Sequence, residues 1–175
     1  DSLVDTSRSR VPWLAVNLLT AFVSASVIGL FEGTIEQIVA LAVLMPIVAG
    51  MGGNAGSQTM TVTVRALATR NLDIHNAWRV ARREAGVGMI NGVLFGLVVG
   101  TVAGSWFGDV NLGVVIASAM IINMFAAAIA GIAIPMVLDR AGADPAVSSA
   151  VFVTAITDTT GFFSFLGLAT WWLLG

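Results

Sequence analysis

Charged positions divide this chain into five long apolar runs. Charge-free stretches lie between Arg10 and Glu32, Glu36 and Arg65, Glu84 and Asp109, and Asp109 and Asp139, while the stretch after Asp144 holds one acid, Asp158. A helix needs about 20 apolar residues to cross roughly 30 Å of hydrocarbon. The pattern therefore predicts an all-α integral membrane protein with five transmembrane helices, at 12–31, 37–64, 85–107, 112–138 and 146–174. Residues 1–11 form a polar lead-in too short to be a domain. They read as a cytoplasmic connection to a region upstream, with 12–175 as the membrane domain. The first run is one of five similar ones and no small-residue cleavage site follows it, which argues against a signal peptide.

Charge sets the orientation of these spans. All eight basic residues are arginines, and Arg8, Arg10, Arg65, Arg70, Arg79, Arg82, Arg83 and Arg140 fall on one side when the spans are threaded in order. Basic residues are retained on the cytoplasmic side, so the N-terminus is expected inside and the C-terminus outside, in a multi-pass protein of the cell membrane. The tryptophans agree, because Trp13, Trp78, Trp106, Trp171 and Trp172 all sit at span ends, where indole rings prefer the headgroup level. Pro12 suits a first helical turn, and Asp144 followed by Pro145 reads as an N-cap and N1 proline.

Composition narrows the function. The chain is 57% hydrophobic and 10% charged with a net charge of −2, so it lacks the basic field that holds nucleic acid. With no cysteine, disulfides, thiolate metal sites and cysteine nucleophiles are excluded. Ser, His and Asp are not gathered at matching depth, and no enzymatic site is expected.

Two segments carry chemistry. Asp158 lies near the middle of the fifth span among Thr154, Thr157, Thr159 and Thr160, where a charged Asp costs about 2.5–3.5 kcal/mol even on lenient insertion scales. No basic residue lies inside any span to neutralise it, which points to a mobile cation, although a hydrogen-bonded Asp joining helices is the plainer alternative. The second span carries Pro46, Gly50, Gly52, Gly53, Asn54, Ala55, Gly56 and Gln58. Glycines at this density weaken a helix and permit close backbone approach, and Pro46 frees the carbonyl of Ala42. The competing reading is a packing seam, since Gly52 and Gly56 form a GxxxG pair. At about 1.5 Å per residue, Asn54 and Asp158 lie roughly 15 and 18 Å from the cytoplasmic ends of their spans. A carboxylate, carboxamides and carbonyls at one depth suit a hard cation such as Mg²⁺, with Ca²⁺ or Mn²⁺ as other occupants. Asn91 and Asn123 are expected to make interhelical hydrogen bonds, Glu84 to pair with Arg82 or Arg83, and Glu32 and Glu36 to mark an outer mouth.

The run from Pro46 through Gln58 with its continuation to Arg65, together with Thr157-Asp158-Thr159-Thr160-Gly161-Phe162, resembles the membrane domain of the MgtE family of magnesium channels. The resemblance implies a homodimer in the bilayer whose pore lies at the two-fold interface, lined by the second and fifth helices. Hydrated Mg²⁺ would be held at the level of Asp158 from each subunit. Thr154, Thr157, Gly52, Gly53, Asn54, Ala55, Gly56 and Gln58 are the expected pathway residues. It also implies N-terminal cytosolic regulatory domains, which lie outside this sequence. The residues alone leave two alternatives: a cation-coupled secondary transporter using Asp158, and a membrane domain whose polar residues only secure packing.

Overall fold

The structure is a computed structural model that describes residues 2–175. Its elements are α1 (Leu3–Leu30), α2 (Glu32–Gln37), α3 (Ala40–Ala68), α4 (Ala77–Phe107), α5 (Val110–Arg140) and α6 (Pro145–Leu173). All except α2 are long and apolar enough to cross a membrane. The second and fifth predicted spans are thus α3 and α6. Among the described residues no strand occurs.

Three helix starts show how local chemistry sets the boundaries. Asp144 caps α6, accepting from the Ala146 N–H at 3.0 Å ahead of Pro145, as the sequence predicts. Asp109 caps α5 in the same way, accepting from Asn111 and Leu112. The expectation for Pro12 is corrected, because α1 begins at Leu3 and Pro12 lies inside it. Ser2 supplies a better cap by accepting from the Asp5 N–H at 3.1 Å. The helix runs on through Pro12 at the cost of one backbone hydrogen bond, the one the Arg8 carbonyl would accept. Similarly, α3 runs unbroken through Pro46 and its glycines, so these residues do not interrupt the helix.

The core sits around α5, which packs against α3, α4 and α6. Leu41, Leu44 and Val48 from α3, Leu112, Val115, Ile116, Ala119 and Met120 from α5, and Phe165, Leu166 and Ala169 from α6 form one buried cluster. Lipid tails are as apolar as leucine, so close packing rather than water exclusion must hold these helices together. The α4–α5 pair shows how. Gly108, left-handed at φ 64°, turns the chain between them. Gly88, Gly92, Gly96 and Gly100 then pass directly over Met124, Ile121, Ala117 and Gly113 of the antiparallel partner. This glycine ladder, spaced four apart, is visible in the sequence but was not among its expected features. The helix α1 rests on α6 and is joined to it by Ser24 Oγ and Thr159 Oγ1 at 3.3 Å.

Candidate functional site

The site is built where α3 meets α6. A Cβ on Gly53 would stand 3.9 Å from Thr157 Oγ1. The two helices run antiparallel, so Asn54 and Asp158, each the next residue along its helix, step in opposite directions from this contact and lie about 3 Å apart in depth, within one helical turn. The contact is close because Gly56 leaves room for Val153 and Thr157. Thr157 donates to the Thr154 carbonyl at 3.1 Å, which keeps its hydroxyl satisfied without water.

The expected pathway residues separate into two groups. Asn54, Gln58 and Thr154 are exposed, Gly53, Ala55 and Asp158 are half-buried, and Gly52, Gly56 and Thr157 are buried. The last three sit in the seam that α3 and α6 make with each other and with α5 within one chain. The exposed side of α3 carries Gly50, Asn54, Ser57, Gln58 and Thr61 at helical spacing along its middle and later turns, with Val62 exposed beside them. On a lipid-facing surface such a stripe would be costly.

Asp158 has no ion-pair or hydrogen-bond partner for its carboxylate among the described residues. No three His, Cys, Asp or Glu side chains converge on a metal-sized site among them. Glu32 and Glu36 lie exposed on α2. That short helix is fastened to α6 by Thr34 Oγ1 and Thr170 Oγ1 at 2.7 Å, at the end of the molecule opposite the arginines.

Three secondary expectations are resolved. Asn123 of α5 does bridge helices, its Nδ2 donating to the Val48 carbonyl at 3.0 Å. Asn91 makes no such bond among the described residues. Instead it lines a cavity of about 140 Å³ with Gln58, Thr59 and Glu84. Glu84 forms no ion pair among the described residues: it is half-buried and lines this cavity, while Arg82 and Arg83 are exposed.

The family profile described as MgtE, divalent cation transporter, matches residues 45–168, a stretch that contains both Asn54 and Asp158. The chain belongs to the MgtE family. Its relatives include the magnesium transporter MgtE of Thermus thermophilus, 38% identical over 162 residues that cover 92% of this chain and 36% of that protein. The MgtE proteins of Bacillus subtilis and Enterococcus faecalis are 32% and 35% identical, covering 92% and 94% of this chain and again 36% of their own lengths. The chain thus spans 36% of the length of these MgtE relatives. With five candidate spans, it is a multi-pass membrane protein of this family.

Proposed function

We propose that this chain is the pore-forming domain of a Mg²⁺-selective channel, acting as a homodimer with α3 and α6 of both copies around the two-fold axis. The observation that carries this reading is the unpaired Asp158 carboxylate within one helical turn of the depth of Asn54 on the polar α3 stripe. A two-fold axis beside that level converts one acid per chain into a pair facing a divalent ion. Mg²⁺ dehydrates reluctantly and keeps several waters. Carboxylates and carboxamides around a wide opening can accept hydrogen bonds from those waters and hold the ion without stripping it. Gly53, Ala55, Gln58 and Thr154 continue the pathway, and Glu32 and Glu36 gather cations at its outer end. The arginine-bearing end is cytoplasmic, which places the N-terminus inside and the C-terminus outside. The polar start of α1 would join this domain to cytosolic regulatory domains, as the family resemblance implies.

Flux into liposomes, measured for Mg²⁺ and K⁺ at matched amounts of assembled protein, tests this function. Asp158→Asn is nearly isosteric and removes a charge that is costly at membrane depth, so on stability alone it is neutral or helpful. Function moves the other way: Mg²⁺ flux is largely lost, and discrimination over K⁺ falls, because amides supply dipoles where carboxylates supply charge. Unchanged Mg²⁺ rate and selectivity would show that the ion is held elsewhere.

A further inference from the structure

We propose that Asn123 is a positioning residue for the ion pathway: its amide, wedged where α3, α5 and α6 meet, holds the Asn54 turn of α3 near the level of Asp158 and so governs selectivity. This rests on the reading that α3 and α6 line the pathway. Asn123 is fully buried. A Cβ on Gly52 would overlap its amide nitrogen, and one on Gly161 would come within 2.8 Å of the same atom. One polar side chain thus occupies a notch cut by a glycine from each pathway helix. Gly52 is two residues from Asn54, and Gly161 three from Asp158.

The hydrogen bonding argues that the amide is not there for cohesion. Val48 lies within α3, so its carbonyl already accepts the helical bond from Gly52, and the Asn123 donor is a second one. On the other side Asn123 Oδ1 is buried without a partner. An apolar side chain would leave no orphaned acceptor, so on hydrogen bonding alone an amide is a poor choice where only stability matters. What an amide adds is direction. Glycine-faced helices can slide past one another at small cost in contact, whereas a hydrogen bond of fixed length and angle ties one carbonyl of α3 to α5. Reversing the amide would set Oδ1 against the Val48 carbonyl oxygen, so its orientation is determined as well.

The test compares three proteins with the parent chain in the Mg²⁺ and K⁺ liposome assay: Asn123→Leu, Asn123→Ala combined with Gly52→Ala, and Asp158→Asn as the control. Leucine keeps the branched outline but adds bulk, and the paired change returns one methyl to the notch from α3 and leaves it partly unfilled, so the second variant covers the case in which the first does not fold. Both lose the hydrogen bond, one with overpacking and the other with underpacking. Each is expected to assemble, and its resistance to unfolding is measured beside its flux. Mg²⁺ flux should fall on the order of tenfold, the scale that one hydrogen bond commands, with a lower Mg²⁺ to K⁺ ratio. Parental selectivity in either folded variant, with selectivity lost in Asp158→Asn, would reduce Asn123 to packing and overturn the proposal. Flux losses that merely track lost stability would overturn it too. Unchanged flux in Asp158→Asn would instead remove the pathway on which the proposal stands.

Discussion

A methyl group added at different glycines of α4 should have opposite effects. Gly86 has nothing within 4 Å of a built Cβ, whereas one on Gly96 would lie 2.9 Å from the Ala117 carbonyl oxygen and 3.5 Å from its Cα. Ordinary contact begins at 3.4 Å, so Gly96→Ala falls short by about 0.5 Å, and the obstructing atoms are backbone that cannot rotate aside. Forcing a helix pair apart in this way costs about 1–3 kcal/mol. Both substitutions also gain about 0.5–1 kcal/mol by replacing glycine inside a helix. That gain is common to the two, so their difference isolates the contact: Gly86→Ala is neutral or more stable than the parent, and Gly96→Ala is about 1–3 kcal/mol less stable than Gly86→Ala. Reversible unfolding in mixed micelles with increasing dodecyl sulfate, followed by helical circular dichroism, measures it. Equal stability of the two variants would refute the close approach of α4 to α5.

Other positions give simpler tests. Asp144→Ala removes the acceptor for the Ala146 N–H and should cost about 1 kcal/mol in the same unfolding assay. Because the chain has no cysteine, single-cysteine work has a clean background. Ser57→Cys, on the exposed polar side of α3, should crosslink between copies, while Ile90→Cys, exposed among apolar neighbours on α4, should not. The reverse would move the two-fold axis. A thiol reagent that cannot cross membranes should label Val110→Cys in intact cells and Asn71→Cys only after permeabilisation, and the opposite pattern would invert the orientation.

Apolar runs long enough to cross a bilayer can end only where charge or a capping residue appears. The number of spans, the grouping of all eight arginines on one side, and the start of α6 at Asp144 were therefore legible from the chain alone, whereas the Asp109 cap of α5 was not among the expectations. So was the oddity of Asp158, because an acid in hydrocarbon is costly wherever it faces. Local chemistry was less decisive at Pro12, where a Ser2 cap upstream outweighed the proline as a helix start.

Facing is different. In a soluble helix the apolar side marks the core, but in a membrane span the core and the lipid are equally apolar, so the pattern carries little information about which side is which. Only the tertiary packing decided that Gly52 and Gly56 are buried while Gly50 is open, and that Thr157 fills a seam while Thr154 is exposed. The same holds for Glu84, which turns into a cavity between helices instead of pairing with its neighbouring arginines. Asn123 shows the limit most clearly. Its sequence supplies an amide at membrane depth, but the notch between Gly52 and Gly161 that receives it exists only when three helices are brought together.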